Sequence, residues 1–232
     1  RHLILPVSKD RIYLPEELHR FARRLGFEQY WYAPGDYLES LDRSELEDLF
    51  IMEEQTEFAD YIYLTEDLAG LKGNRFSKKR NLIHQFFREY IRKGRVVVEG
   101  IHEKNVQECL QFLEIWCKEY ACDVDQESSL ACEKEALITT LKNIQYLESM
   151  GILVRVDGAV SALGIGSRLN RMTATLNFEK AFSGIKGLYQ FLDNECAKRL
   201  FMEFHYINKE SDMNLPNLAE TKQSYNPVLR VK

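Results

Sequence analysis

The segment from Ser183 to Gly187 combines two glycines, a hydroxyl and a cation in front of a run with helical spacing. A helix start presents unpaired N–H groups and a partial positive charge, and Lys186 adds a full charge there. Ser183 is a candidate N-cap, while Gly184 and Gly187 would let an anion approach the backbone. The segment therefore predicts a phosphate-binding turn. The competing interpretation is an ordinary strand-to-helix turn with one solvated lysine.

The periodicity on either side of this turn indicates the elements that would position it. Apolar and polar residues alternate from Met172 to Glu179, which is typical of a half-buried strand. From Leu188 to Leu200 apolar residues recur four apart, so we expect a helix with one apolar face. The turn is thus predicted to join a strand to a helix.

A second candidate for anion binding lies within residues 72–95. This stretch holds nine Lys or Arg and one acid, whereas the rest of the chain holds 22 bases and 35 acids. Its spacing predicts an amphipathic helix over residues 76–92, with Lys78, Lys79 and Arg80 in the first turn. Cations there oppose the helix dipole, and such a local conflict often marks a functional position. An anion-facing role and a solvated basic face both remain open.

Composition limits the class of protein. The 232 residues are 45% apolar with a net charge of −5, which suits a substantial core and argues against a general polyanion binder. No run of 18 apolar residues and no signal peptide is present, so we expect a cytoplasmic location, with peripheral attachment at the inner membrane face left open. The five cysteines and five histidines show no ligand spacing, so we expect neither a metal site nor a disulfide framework. The first residue is Arg1 rather than Met, which leaves an upstream segment open.

The remaining pattern predicts a mixed α and β protein, with a hairpin at Asp157-Gly158 as its strongest short-range signal. The expected strands span residues 3–7, 28–33, 49–56, 95–100, 152–156, 159–165, 172–179, 205–208 and 225–231. The expected helices span residues 15–25, 37–41, 76–92, 103–120, 129–150, 188–200 and 214–221, with an acidic loop at 121–127.

Several short motifs between Tyr61 and the C-terminus follow one another in a characteristic order. They are Tyr61-x-Tyr63, Asp67-Leu-Ala-x-Leu-Lys-Gly73, Lys79-Arg-Asn81, Phe178-Glu-Lys-Ala181, Lys186-Gly-x-Tyr-Gln190, Asn208-x-Glu-x-Asp212 and Lys222-x-Ser-Tyr-x-Pro227. As an ordered set they resemble the C-terminal domain family of bacterial phosphatidylglycerol lysyltransferases, which is related to Fem-type peptidyltransferases.

The resemblance implies an α+β fold of two GNAT-like acyltransferase halves in tandem, each a mostly antiparallel sheet flanked by helices. The halves would span residues 1–100 and 101–232. It also implies transfer of an aminoacyl group from aminoacyl-tRNA, or of an acyl group from acyl-CoA, to an amine or hydroxyl acceptor. The donor would be a co-substrate, with no tightly bound cofactor, and Lys78, Lys79 and Arg80 would meet its phosphates.

The sequence departs from the family pattern near its end. Lys209 stands where the family usually has Arg, and Asn214 stands in place of Gly. The segment Asn217-Leu-Ala-Glu220 lacks both cations of the family's Gly-Leu-Arg-Lys. We therefore expect weaker anion binding at that edge. This favours, as an alternative function, a non-catalytic binding module of transferase fold that binds tRNA or a nucleotide.

Acyl transfer needs a base near the acceptor nucleophile. Glu210 and Asp212, two apart after a predicted strand, would face the same way if the chain were extended there. Glu179 ends the neighbouring predicted strand. One of these three carboxylates is the candidate general base.

Acyl transfer also needs donors for the oxyanion of the tetrahedral intermediate. Lys180 or Lys222 would stabilise the oxyanion, and Tyr225 would donate a proton. The alternative is that Glu179, Glu210 and Lys222 form a structural ion-pair network between strand ends.

Overall fold

The computed structural model describes residues 2–6, 8, 10–120 and 129–231, and nine strands and nine α-helices form within them. The strands are β1 (Leu3–Ile4), β2 (Tyr30–Trp31), β3 (Asp60–Leu64), β4 (Val96–Gly100), β5 (Ser149–Val156), β6 (Ala159–Arg168), β7 (Thr173–Ala181), β8 (Tyr206–Asn208) and β9 (Leu229–Val231). The helices are α1 (Pro15–Leu25), α2 (Gly35–Glu39), α3 (Arg43–Leu49), α4 (Thr65–Gly70), α5 (Ser77–Glu89), α6 (Val106–Glu119), α7 (Ser129–Lys142), α8 (Leu188–Leu200) and α9 (Pro216–Gln223).

Seven of the strands form one sheet in the order β4-β5-β6-β7-β8-β3-β9. All neighbours in this sheet are antiparallel except β7 and β8, while β1 and β2 form a separate parallel pair. The predicted α+β class, with a mainly antiparallel sheet flanked by helices, is confirmed. Both β3 and β4 precede residue 101, so the sheet contains strands from both proposed halves, and their division near residue 100 stays a prediction.

Helices cover both faces of the sheet because alternate strand residues point to opposite sides. Val154 packs in one buried core together with Leu192 of α8, whereas the adjacent Leu153 packs in a second core with Leu113 of α6 and Leu141 of α7. We call these the α8 face and the α6–α7 face of the sheet.

A β-bulge at Asn177 reverses the facing of the second half of β7. The β6–β7 register skips Asn177, so one extra residue lies between the paired Leu176 and Phe178. Leu176 belongs to the core on the α8 face, but Phe178 packs against the core on the α6–α7 face. Because facing alternates along a strand, the bulge brings Glu179 to the α8 face.

Two sequence predictions differ from the structure by several residues, and a third falls outside the described residues. The strand expected at 49–56 is wrong: Asp42 caps α3 by accepting hydrogen bonds from the amides of Ser44 and Glu45, and the strand comes later, as β3. The helix expected to reach residue 150 ends at Lys142, because the chain turns and enters β5. The acidic loop at 121–127 lies outside the described residues.

The Asp157-Gly158 hairpin is confirmed. Both residues have positive φ, at 54° and 84°, as a type I′ turn requires, and β5 pairs with β6 on either side.

Helix α8 begins in close contact with α5. Gly187 has φ of +85°, and a Cβ added there would overlap the carbonyl oxygen of Leu82 on α5. One turn further along each helix, the rings of Phe86 and Phe191 lie 4.9 Å apart. Glycine at 187 therefore serves both the backbone conformation and the helix contact.

We expect Gly187→Ala to lower the free energy of unfolding by about 2–5 kcal/mol. Roughly 1–2 kcal/mol comes from a left-handed alanine and about 1–3 kcal/mol from overpacking against Leu82. Gly184→Ala is the matched control, because an added Cβ at that position meets no atom within 4 Å and the φ angle is not positive. The control should change stability by less than about 0.5 kcal/mol. Urea unfolding curves measure both variants, and similar values for the two would contradict the packing role.

Candidate functional site

The sheet opens where β7 and β8 separate. The two strands pair only from Thr173 to Thr175, after which β8 ends at Asn208 while β7 continues to Ala181. The side chain of Lys209 lies at this opening, and its Nζ is 3.0 Å from Oε2 of Glu179.

Lys209 also contacts a second carboxylate, from α8. Its Nζ is 2.8 Å from Oδ1 of Asp193, and the side chains of Lys209, Asp193 and Glu179 are only 10%, 3% and 18% exposed. One buried ammonium is thus shared by two carboxylates. The second oxygen of Asp193, Oδ2, is buried and has no hydrogen-bond partner among the described residues.

This arrangement shifts the protonation of its members. Burial raises the pKa of Glu179 to about 7; the charge of Asp193 adds to the increase, and Lys209 opposes it. Burial alone would lower the pKa of Lys209, but Asp193 and Glu179 outweigh it and raise that pKa. Lys209 therefore stays charged, and Glu179 can exchange a proton near neutral pH.

Lys79 and Tyr225 also belong to this site. We call the five residues the Lys209 cluster: Lys79, Glu179, Asp193, Lys209 and Tyr225. The ammonium of Lys79 donates to Oγ of Ser224 at 2.6 Å and lies 3.9 Å from the ring centroid of Tyr225. The ammonium of Lys209 lies 5.1 Å from the same centroid.

Burial sets the protonation of these two residues as well. It raises the pKa of Tyr225 well above its ordinary value, with Asp193 and Glu179 adding to the shift, so the phenol keeps its proton. Burial also lowers the pKa of Lys79, and Lys209 acts in the same direction. Tyr225, in the turn after α9, is therefore available as a donor.

Lys222 supports the backbone of the adjacent turn. Its Nζ donates to the carbonyl oxygens of Lys209, Glu210 and Ser211 at 2.5, 3.0 and 2.6 Å. Burial, together with the charge of Lys209, lowers the pKa of Lys222 to about 8. The predicted oxyanion role of Lys222 stays a prediction, and its hydrogen bonds in this structure hold the turn in shape.

Glu210 and Asp212 do not face the same way, because the chain between them is not extended. Glu210 has a left-handed φ of 58° and lies at a cleft described below. Partial burial raises its pKa, against the effects of Asn177 and Lys222. Asp212 is instead buried, where its Oδ2 accepts a hydrogen bond from the hydroxyl of Tyr61 at 2.5 Å.

Lys180 lies apart from the Lys209 cluster. Its ammonium is 2.7 Å from Oε2 of Glu133 on α7 and 4.5 Å from the ring centroid of Trp116 on α6. It therefore faces the α6–α7 side, opposite to Glu179, as alternation along β7 requires.

The turn before α8 differs in detail from the predicted phosphate site. The N-cap of α8 is Gly187, so the prediction of Ser183 as N-cap is wrong. The amide of Ile185 already donates to the carbonyl of Phe182. Ser183, Gly184 and Lys186 are exposed, whereas Gly187 is buried against α5. Phosphate binding at this turn stays a prediction.

The three cations at the start of α5 have three different environments. Lys78 is exposed, and Lys79 turns inward to the Lys209 cluster. Arg80 donates to the carbonyls of Leu71 and Gly73 at 2.5 and 2.6 Å, so it holds the preceding loop. Since α5 packs on the start of α8, the two predicted anion-binding segments lie next to each other.

A large cleft lies beside the turn after β8. Its volume is about 1390 Å³, and it is lined by the segment around β2 and α3 and, across from it, by Asp60, Glu210, Ser211 and Val231. We refer to it as the β2 cleft. Among the described residues no group of three or more His, Cys, Asp or Glu could hold a metal ion, and no helix is long and apolar enough to cross a membrane.

The sequence reasoning missed the β2 cleft, Asp193 and the role of Lys209. Asp193 follows Leu192 on α8 and is only 2% exposed, yet a single acid in a helical pattern gives no sign of burial. The sequence did single out Lys209, because this residue stands where the family motif usually has arginine.

We expect Lys209→Met to lower the free energy of unfolding by about 3–5 kcal/mol at pH 8, because it removes the cation that contacts both buried carboxylates, Glu179 and Asp193. Unpaired buried carboxyls have raised pKa values, so the folded variant binds more protons than the unfolded chain, and its stability falls as pH rises above about 4.5. The loss should therefore be smaller at pH 5.5. Lys209→Arg keeps the charge and serves as the control. Urea unfolding at both pH values tests this, and a loss independent of pH would contradict it.

Residues 4–232 match the family model described as phosphatidylglycerol lysyltransferase, C-terminal. A search of curated proteins found no match. A conserved protein of unknown function from Bacteroides thetaiotaomicron is similar in structure, with a TM-score of 0.85 and 31% identity over 99% of this chain and 76% of that one.

Two other solved structures share the fold at low identity. The C-terminal domain of a putative lysylphosphatidylglycerol synthetase from Agrobacterium fabrum has a TM-score of 0.66 and 13% identity, covering 99% of this chain and 74% of that one. A functionally unknown conserved protein from Staphylococcus epidermidis has a TM-score of 0.53 and 7% identity, covering 99% and 79%. Because the family model spans nearly the whole sequence, this chain belongs to the phosphatidylglycerol lysyltransferase C-terminal domain family.

Proposed function

We propose that this protein is an acyltransferase that moves an aminoacyl or acyl group from an activated ester or thioester to an amine or hydroxyl acceptor. Membership of a lysyltransferase domain family supports group transfer as the reaction type. The observation that carries the proposal is the Lys209 cluster at the opening between β7 and β8. There a carboxylate with a pKa of about 7 lies 3.0 Å from a charged lysine.

Three members of the cluster have a role in the proposed reaction. Glu179 accepts the proton of the acceptor nucleophile, which then attacks the donor carbonyl carbon. Lys209 acts as a positioning residue that holds the Glu179 carboxylate at the opening. Tyr225, whose phenol keeps its proton, donates toward the oxygen or sulfur of the leaving group. The bond from the acyl carbon to that atom breaks, and the donor leaves as a hydroxyl or a thiol.

The donor would approach along the contact between α5 and α8. Lys78 and Lys186 are exposed near this contact, and the partial positive charge of the α8 start is directed toward it. A tRNA or a CoA-type molecule carries the negative charge that such a surface attracts. This chemistry does not distinguish the two donors.

The alternative is a non-catalytic module that binds an anionic ligand. Two observations favour it: Lys79 and Arg80 are held in internal contacts, and Asn217-Leu-Ala-Glu220 lacks the family's two cations. Binding without turnover would decide for this alternative.

A ligand screen tests the donor. Thermal unfolding is followed with acyl-CoAs and with charged and uncharged tRNAs, and a ligand at 100 times its Kd should stabilise the fold by about 2.7 kcal/mol. We expect Lys78→Ala with Lys186→Ala to abolish the shift, whereas Lys142→Ala, at the exposed end of α7, should retain it. A shift that survives in the double variant would contradict the donor surface.

The proposed base makes the transfer rate depend on pH. Because Glu179 must lose its proton to act, the rate should rise tenfold per pH unit below about 7 and level off above it. Glu179→Gln should lower kcat by about 10²–10⁴-fold and remove this inflection. Glu203→Gln, an exposed acid after α8, is the matched control and should keep both rate and profile. An unchanged profile in Glu179→Gln would exclude this residue as the base.

A further inference from the structure

The β2 cleft and the Lys209 cluster lie on opposite faces of the same strands. On β3, Tyr61 and Tyr63 belong to the core on the α8 face, so the alternating Asp60 points to the other face. Asp60 lines the β2 cleft together with Glu210 and Ser211. The cleft therefore approaches the turn after β8 from the side opposite to Glu179.

One wall of the cleft is aromatic. The rings of Trp31 and Tyr32 meet edge to face with centroids 6.0 Å apart, and Tyr32 meets Phe58 in the same way at 4.9 Å. Trp31 is also 6.2 Å from Phe58, so the three rings form a connected group. Aromatic faces attract cations. One face of Trp31 is covered by the ring of His2, which stacks on it at 4.1 Å, so Tyr32 and Phe58 supply the other aromatic surface of this wall.

Among the residues that the structure describes, those that carry a charged side chain and line the cleft are all acidic. They are Glu28, Glu53, Glu54, Asp60 and Glu210. None of the described residues that line it is Lys, Arg or His. An anionic headgroup would be repelled by this lining, whereas an ammonium group would be attracted by the carboxylates and by the aromatic rings.

The inner end of the cleft meets the reaction centre. Glu210 and Ser211 line the cleft, and the preceding Lys209 holds Glu179. Lys222 fixes all three residues of this turn through their carbonyl oxygens. A group seated at Glu210 therefore lies next to Lys209, the residue that contacts the proposed base Glu179.

We propose that the β2 cleft binds the acceptor of the reaction and that this acceptor is a cationic primary amine with an apolar body. The inference rests on the proposed function, and it assigns amide formation rather than ester formation to the site. An anionic lipid headgroup is the competing acceptor, and the charge of the cleft disfavours it.

The transfer step then balances as follows. The bound ammonium gives one proton to Glu210, which passes it to solvent. The freed nitrogen forms a C–N bond with the acyl carbon of the donor ester or thioester. The C–O or C–S bond breaks, its electron pair leaves with the oxygen or sulfur, and the second proton of the nitrogen passes through Glu179 and Tyr225 to that atom. The products are an amide and a free hydroxyl or thiol.

Calorimetric titration of the whole chain with hexylamine tests the binding step without any donor. Hexanol is the neutral probe of the same length, and glycerophosphoglycerol is the anionic headgroup probe. We expect hexylamine to bind at least about tenfold more tightly than either, with an affinity that falls as salt increases. Equal binding of hexanol or tighter binding of glycerophosphoglycerol would overturn the proposal.

Substitutions locate the binding. We expect Glu210→Gln to weaken hexylamine binding about tenfold. The separate variant Asp60→Asn should weaken hexylamine binding by more than that. Glu203→Gln is the control, because it removes the charge of an exposed acid outside the cleft, and it should leave hexylamine binding unaltered. Asp60 accepts a hydrogen bond from Asn208 at 2.6 Å, so Asp60→Asn can disturb folding, and Glu210→Gln alone then decides. Unchanged binding in Glu210→Gln overturns the proposal.

The result is separable from the test of the transferase reaction. If hexylamine binds through Glu210 but no donor yields an amide, the proposed function fails and the amine site in the β2 cleft stands. If a hydroxyl acceptor is acylated with dependence on Glu179 while hexylamine does not bind, the transferase stands and the amine acceptor is excluded.

Discussion

The ion pair of Lys209 with Glu179 and Asp193 is the interaction on which the site depends. It joins β7, α8 and the turn after β8, which follow one another along the chain. A buried ion pair of this kind adds little net stability, because desolvation offsets most of the Coulombic attraction. Its consequence is chemical: burial raises the pKa of Glu179 to about 7, and the charge of Lys209 opposes that increase.

The bulge at Asn177 decides whether this interaction can form. In a regular β7 strand, residues three apart point to opposite faces of the sheet. Because Leu176 points to the α8 face, Glu179 would then point to the α6–α7 face, where Lys180 lies in the structure. The extra residue exchanges the two side chains. A single irregularity in register thus selects Glu179 rather than Lys180 as the residue of β7 that contacts Lys209.

Local patterns could predict much of the fold but little of the site. The period change between β7 and α8 and the Asp157-Gly158 turn depend on neighbouring residues, and the structure has both. The pairing of Lys209 with Asp193 depends on tertiary packing, which no spacing rule in a single sequence expresses. For the same reason the sequence does not show that Nη1 of Arg80 donates to two backbone carbonyls of the loop before α5, and anion binding by Arg80 stays a prediction.

The turn after β8 links the two faces of the sheet. Lys209 contacts Glu179 on the α8 face, whereas Glu210 lines the β2 cleft. Lys222 donates to the backbone carbonyls of both residues, so any movement of this turn would displace the proposed base and the proposed acceptor site together. The left-handed conformation of Glu210 carries strain of about 1–3 kcal/mol, and those backbone hydrogen bonds compensate it. One lysine therefore holds the turn that the two proposed sites share, through backbone carbonyls alone.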